Sequence, residues 1–125
     1  MIERAGQACV LETAVFERIS QPYAREGSRT GALRFGHPRV TALAGALCAH
    51  VHTVSGFTNK SLRSLVAGLL GADYTPNQMS YDLRRLRLHG LIQRLPGTNT
   101  YTLTADGTRF AIFYTKVHHR ILLHP

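Results

Sequence analysis

Apolar residues recur at helical spacing through the C-terminal two-thirds of the chain. The first stripe begins after Arg39 and comprises Val40, Leu43, Ala44, Leu47, Cys48 and Val51. A second stripe follows the turn at residues 55–56 and comprises Leu62, Leu65, Val66, Leu69 and Leu70. Thr58 or Asn59 can cap this second helix, and Gly71 can end it in the left-handed conformation. The pattern predicts two successive helices, each with one face on a core.

A third helix has a clear start signal in the sequence Thr75-Pro76-Asn77-Gln78. A capping hydroxyl, a proline at the first helical position and a glutamine at the third satisfy the first backbone amides reciprocally. We expect this helix to run to His89 and to end at Gly90. At 100° per residue, Leu83 and Leu86 fall within about 40° of Met79, and these three residues define its predicted core side.

The segments LIQRLP and NTYTLT, joined by the turn at residues 96–99, predict a short β-hairpin. Thr104 can then cap a last helix over residues 105–123. Its wide apolar face comprises Phe110, Phe113, Tyr114, Val117 and Ile121. The pattern of the C-terminal region therefore predicts three helices, a hairpin and a long helix.

The N-terminal part has a weaker pattern. Near-helical spacing of Val10, Leu11, Ala14, Val15 and Ile19 favours a short helix, although Val10 and Val15 fit a strand equally well. Residues 20–38 contain two prolines and three glycines, which indicates an extended or loop segment. We expect residues 1–38 to form an N-terminal extension and residues 39–125 to form the main domain.

Charge is concentrated in the C-terminal half. Of 125 residues, 15 are Lys or Arg and 7 are Asp or Glu, which gives a formal charge of +8. Residues 75–125 hold seven of the basic residues and two of the acidic ones. This balance indicates a polyanionic partner, nucleic acid before an anionic membrane surface. No apolar run has membrane-spanning length, and the N-terminus is too acidic and interrupted for a signal peptide, so we expect a cytoplasmic protein.

The predicted fold is mainly α with a small β-hairpin, in the order of a winged helix-turn-helix with a three-helix core, a short wing and a long C-terminal helix. The string YDLRRLRLHGLIQRLPGTNTYTLTADG resembles the recognition helix and wing of MarR-like and PadR-like bacterial regulators. This resemblance covers residues 39–123, and it implies that the third helix enters the major groove. The wing is reduced to about four turn residues, which argues against deep reading of the minor groove.

A further resemblance extends upstream. The string GFTNKSLRSLVAGLLG, followed by YDLRRLRLHGLIQRLPGT, is similar to the C-terminal region of longer uncharacterised bacterial proteins. It implies either a short relative of those proteins or a piece of a longer chain, with a partner region missing from this one.

Donor side chains suited to DNA cluster on the third helix. Asn77, Tyr81, Arg84 and Arg85 project away from the core side, whereas Asp82 lies at the margin and can tether a neighbouring arginine. Arginine pairs with guanine, and asparagine or glutamine pairs with adenine. The full set of predicted DNA contacts is Lys60, Asn77, Gln78, Tyr81, Arg84, Arg85, Arg87, Arg94, Thr98 and Asn99. A solvated arginine face and an ordinary hairpin tip are the alternative explanations.

Other chemistry has little support in the sequence. His50 and His52, like the adjacent His118 and His119, lack the spacing of metal ligands. After Glu26 only three carboxylates follow, too scattered for a two-carboxylate or metal-nuclease site. The two cysteines lie far apart in unlike contexts, which favours reduced structural thiols. We expect no metal, no cofactor and no catalytic residue.

The resulting hypothesis is sequence-specific binding of double-stranded DNA, either as a transcriptional regulator or as the DNA-binding module of a larger system. The alternative is a protein-interaction module on the same scaffold. Surplus apolar residues predict a homodimer formed by the N-terminal segment and the last helix, with a palindromic site. They are Val10, Leu11 and Phe16 in the first element and Ala111, Ile112, Leu122 and Leu123 in the second. A monomer in which the N-terminal segment folds back onto its own last helix would bury the same residues.

Overall fold

The computed structural model describes residues 14–15, 17–25, 28–34 and 36–123, with side chains for residues 14–15, 17–22, 31–34 and 36–117. Four helices form most of the described chain: α1 (Pro38–Cys48), α2 (Asn59–Leu70), α3 (Pro76–Leu88) and α4 (Ala105–Leu123). Two antiparallel strand pairs accompany them. These are β1 (Tyr23–Arg25) with β2 (Ser28–Thr30), and β3 (Ile92–Arg94) with β4 (Tyr101–Leu103). The fold is mainly α with a small hairpin, as predicted.

Local signals set the helix ends. Thr58 caps α2, which resolves the choice between Thr58 and Asn59, and Gly71 ends the helix in the left-handed conformation at φ 69°. Thr75 and Gln78 form the predicted capping box at the start of α3, with Pro76 in its first turn. The Thr104 hydroxyl accepts a hydrogen bond from the amide of Gly107 in the first turn of α4. These four helix boundary predictions are confirmed.

The hairpin has an isolated β-bridge to the chain before α2, which the sequence pattern does not indicate. Phe57 pairs with Tyr101 through two backbone hydrogen bonds of 2.9 and 2.7 Å, on the edge of β4 opposite β3. Gly56 makes this approach possible, because a Cβ at this position would collide with the carbonyl oxygen of Tyr101 and because its φ is 78°. The hairpin is thereby tied to the segment that leads into α2.

One core holds the helices together and includes part of the N-terminal segment. Leucines and other apolar residues of α1, α2 and α3 are buried with Phe110 and Tyr114 of α4. Val15, Ile19 and Leu33 join the same core at 5% exposure or less. Residues 14–15 and 17–19 are helical, which settles for Val15 the choice between helix and strand. Val10, Leu11 and Phe16 lie outside the described residues.

The predicted loop at residues 20–38 contains the short β1–β2 pair and then runs along the end of α3. The amide of Leu33 donates to the carbonyl oxygen of Ile19 (2.8 Å), which returns the chain to the core. The Arg18 guanidinium donates to the carbonyl oxygen of His89 and pairs with Asp106 at 2.8 Å. The described part of the N-terminal segment therefore packs against the end of α3 and the start of α4 of its own chain.

The apolar face of α4 is only partly as expected. Phe110 and Tyr114 are buried, as predicted, whereas Phe113 and Val117 are half-buried. Ala111, which the sequence pattern places outside the main stripe, is buried as well.

Among the described residues, no helix has the length and apolar character that a membrane crossing would need.

Candidate nucleic-acid interface

A cleft of about 590 Å³ lies between the start of α2, the exposed side of α3 and the hairpin. We call it the hairpin-side cleft. Four of its lining residues are cations: Lys60, Arg84, Arg87 and Arg94. The other lining residues are Thr58, Asn59, Ser80, Leu83, Asn99 and Tyr101, so no carboxylate is among the described residues that form this surface. The cleft therefore concentrates positive charge in one concave place.

The N-terminus of α2 opens into this cleft and is fixed there by side-chain hydrogen bonds. The Asn59 amide nitrogen donates to the Ser80 hydroxyl at 3.1 Å, which links the first turn of α2 to α3. The Arg63 guanidinium donates to the Asn59 side-chain oxygen at 2.8 Å and holds that amide in place. Because the N-terminus of a helix carries a partial positive charge, this placement adds to the attraction for anions.

The hairpin supplies the opposite wall. The Arg94 guanidinium donates to the Thr98 carbonyl oxygen at 2.7 Å and to the Asn99 side-chain oxygen at 3.3 Å. The Thr98 hydroxyl donates to the Leu95 carbonyl oxygen and accepts from the amide of Thr100. Arg94 and Asn99 therefore reach the cleft from a hairpin tip that they themselves stabilise, whereas the Thr98 hydroxyl serves the turn.

The predicted contact residues of α3 divide between its two sides. Arg84 and Arg87 are exposed and line the hairpin-side cleft, and Asn77 is exposed in the first turn. The Gln78 side chain accepts a hydrogen bond from the amide of Thr75 and acts as a cap. Tyr81 is 48% exposed and lies on the flank of α3 that faces residues 31–34.

The expectation that Arg85 projects outward is wrong. Arg85 is only 9% exposed, its guanidinium pairs with the carboxylate of Asp82 at 2.8 Å, and it donates to the Ala32 carbonyl oxygen at 3.0 Å. Residues 31–33 pass along this side of α3 and cover it. The helical projection considers α3 alone, and so it cannot register the segment around Ala32, which lies 53 positions before Arg85 in the chain.

Asp82 is the centre of a buried polar cluster, not a marginal residue. It has no exposed surface, and its oxygens accept hydrogen bonds from Arg39 at 2.6 Å, from Arg85 and from the Tyr74 hydroxyl. The predicted tether to a neighbouring arginine is confirmed, and Arg39 at the start of α1 adds a second one. The Arg39 guanidinium also donates to the Gln78 carbonyl oxygen at 3.2 Å. The cluster joins α1, α3 and the segment before α3.

The electrostatics of this cluster favour the charged form of Arg39 and the neutral form of the tyrosine. Burial lowers the pKa of Arg39, but the hydrogen bond and charge of Asp82 outweigh that effect and raise the pKa above its ordinary value. Burial, followed by the hydrogen bond to Asp82 and its charge, raises the pKa of Tyr74. The Tyr81 ring lies 5.7 Å from the Arg39 guanidinium and 5.5 Å from that of Arg85, within cation–π range.

Several residues of the cleft are not evident from the sequence. The sequence indicates Asn59 as a possible cap whose backbone amide lies at a helix N-terminus suited to a phosphate. It does not mark Ser80 or Tyr101 as lining residues. Asn59 precedes Lys60 in the sequence and Ser80 lies one helical turn before Arg84, which is a signal for these two residues. Only the packing of α2 on α3 and the pairing of the hairpin with Phe57 bring the lining residues together.

Within the described part of the chain, no group of three or more His, Cys, Asp or Glu side chains could hold a metal ion.

Comparison with models of protein families, with curated proteins and with solved structures finds no significant match.

Proposed function

We propose that this chain binds double-stranded DNA as a winged helix-turn-helix domain, in a transcriptional regulator or in the DNA-binding module of a larger system. The observation that carries the proposal is the hairpin-side cleft, where Lys60, Arg84, Arg87 and Arg94 converge without a carboxylate among the described lining residues. The order α1, Phe57, α2, α3, β3, β4 supports the same proposal, because Phe57 forms a β-bridge at the free edge of the hairpin, between α1 and α2 in the chain.

The dimensions of α3 suit a major groove. A helix with its side chains is about 10–12 Å across, and the groove of B-DNA is about 12 Å wide. Asn77, Tyr81 and Arg84 form the exposed ridge of α3 and would meet base edges. The phosphates of one strand would then lie near Lys60, Arg87, Arg94 and the amides at the start of α2.

The proposal is tested by fluorescence anisotropy titration of a DNA duplex at a series of salt concentrations. The slope of log K against log salt is negative, and its magnitude falls by about 0.9 when one phosphate contact is removed. All slopes are given as magnitudes. We expect Lys60→Ala and Arg87→Ala each to lower the slope by about one. Arg109→Gln is the matched control, because Arg109 is a cation of α4 whose partner is Asp106, away from the cleft.

Absence of binding at low salt would overturn the proposal. Equal losses in the cleft variants and in the Arg109 control would show only general attraction by net charge. A single-stranded oligonucleotide of the same sequence serves as a second control, since groove entry requires a duplex.

A protein-interaction module is the second candidate, and a different surface favours it. Leu65 and Leu69 lie four residues apart on α2 and are 38% and 59% exposed. Large apolar side chains exposed on one helix face are typical of a docking surface. Absence of duplex binding at low salt, with the fold intact, would favour this candidate over DNA binding.

The homodimer remains a prediction, and part of the apolar surface on which it rests is buried within a single chain. Of the surplus apolar residues, Ala111 is buried within its own chain and Ile112 is half-buried, in the manner of the monomeric alternative. Val10, Leu11 and Phe16, together with the side chains of Leu122 and Leu123, lie outside the described part. Sedimentation equilibrium decides between the two, because a single species of 13.8 kDa would exclude the dimer.

A further inference from the structure

A second concavity, of about 330 Å³, lies on the other flank of α3. We call it the loop-side concavity. It is lined by three small or apolar residues, Gly31, Ala32 and Val40, and by four polar or charged ones, Arg34, His37, Tyr81 and Arg85. Like the hairpin-side cleft, it contains no carboxylate among the described residues that line it.

The charge at this place is positive. Arg39 and Arg85 share the single carboxylate of Asp82, so the buried cluster beneath the concavity keeps one net positive charge. Arg34 adds an exposed guanidinium at the rim. Because the interior screens charge poorly, the unbalanced charge of the cluster is felt at the nearby surface.

His37 adds a hydrogen-bond donor in a fixed position. Its Nδ1 accepts from the amide of Arg39 at 3.2 Å and caps α1. The proton of the neutral ring therefore resides on Nε2, which is able to donate to an oxygen of a ligand. The side chain is exposed, so a ligand can reach it.

The two concavities flank one helix of groove width. When α3 lies in a major groove, each of its sides faces one of the two sugar-phosphate backbones, since the groove is bounded by one strand on each side. The hairpin-side cleft accounts for only one strand. From this geometry we infer that the loop-side concavity binds a phosphate of the opposite strand, with Arg34 as the charged contact and His37 Nε2 as a hydrogen-bond donor.

This inference rests on the proposed function and adds to it a second phosphate site, supplied by the segment before α1. Arg85 takes no direct part: it is committed to Asp82 and Ala32, and it contributes charge from beneath. The contact is to the DNA backbone, so it raises affinity without changing which sequence is preferred.

The test is a salt titration of Arg34→Gln on a mixed-sequence duplex of about two helical turns, with far-UV circular dichroism to verify the fold. We expect the slope of log K against log salt to fall by about one, and Arg34→Glu to weaken binding further. Relative affinities for different duplex sequences should stay as in the unmodified protein. Arg109→Gln, which removes the same charge from α4, should leave the slope unchanged.

The outcomes separate the inference from the proposal on which it rests. If Arg87→Ala lowers the slope and Arg34→Gln does not, the second phosphate site is wrong and duplex binding stands. If the unmodified protein fails to bind duplex at low salt, both are wrong. If Arg109→Gln lowers the slope as much as Arg34→Gln, the Arg34 effect is general electrostatics and the site is overturned.

Discussion

Arg84 and Arg85 are neighbours in sequence, yet they belong to two very different sides of α3. Arg84 is exposed and lines an open cleft with three other cations. Arg85 is buried against residues 31–33 and is paired with Asp82. One side of the helix presents its charges to an open cleft, and the other uses its charge to join α3 to the rest of the fold.

The difference shows that a run of arginines is not one functional unit. A helix turns by 100° per residue, so consecutive side chains meet different surroundings. The acidic partner decides the outcome in this case, because Asp82 pairs with Arg85 and Arg39 and is not among the residues that line the cleft. Predictions that change one side and leave the other intact can test this division.

The largest effect is expected on the buried side, from Asp82→Asn. The substitution leaves two arginines around a neutral amide, and removal of one partner from a buried ion pair costs about 3–5 kcal/mol. Chemical denaturation should show a decrease near the lower end of this range, because Arg39 keeps a quarter of its side chain exposed. The matched control is Asp106→Asn, whose two ion pairs are partly exposed and should contribute about 1 kcal/mol or less. Equal losses in the two variants would contradict the importance of the Asp82 cluster.

The second prediction separates stability from binding at the neighbouring arginines. Arg85→Ala removes a charged hydrogen bond to Asp82 and should lower the free energy of unfolding by about 2 kcal/mol. Arg84→Ala should leave that quantity within about 0.5 kcal/mol, and should weaken duplex binding by about 1–3 kcal/mol. Denaturation and anisotropy on the same two variants measure both effects. The division between the sides fails if Arg84→Ala proves the more destabilising change.

The smallest effect concerns pH and His89, which lies on the buried side. Its Nε2 is 2.9 Å from the carbonyl oxygen of Gly31, and burial lowers its pKa below the ordinary value. The unfolded chain therefore binds a proton near pH 6.5 that the folded chain takes up only at lower pH. It follows that the free energy of unfolding falls as pH decreases below about 6.5.

Thermal unfolding at about pH 7.5 and pH 5.5, on either side of the ordinary histidine pKa, measures this dependence. His89→Gln should reduce the loss of stability at the lower pH. Part of the dependence should persist in that variant, because burial lowers the pKa of His50 too. An unchanged pH dependence in His89→Gln would show that His89 makes no contribution to it.

Short-range signals predicted the helices well. The cap formed by Thr75 and Gln78 and the stop at Gly71 depend on residues within one turn of each other, and the sequence states them directly. The burial of Met79, Leu83 and Leu86 follows from helical period alone. Lys60, Arg84, Arg87 and Arg94 could be proposed for one site because the expected order of elements brings them together.

Long-range contacts could not be predicted in this way. Arg39 lies 43 positions from Asp82, and Arg85 lies 53 from Ala32, so no local pattern reports either contact. The N-terminal segment has weak periodicity, and therefore no pattern in the sequence places Leu33 in the core or residues 31–33 beside α3. Arg34 and His37 escape prediction for the same reason, since their interest comes only from the neighbours that the fold gives them.

The shared carboxylate of Asp82 also constrains the order in which this sequence can change. Substitution of Arg39 or Arg85 first leaves one complete ion pair, whereas substitution of Asp82 first leaves two cations without their shared acceptor. In proteins related to this chain, we therefore expect substitution of the arginines to precede substitution of the aspartate, or all three residues to change together. We expect positions 39, 82 and 85 to covary among related proteins. Under the proposed function, positions 84 and 87 can vary with the DNA sequence that is bound.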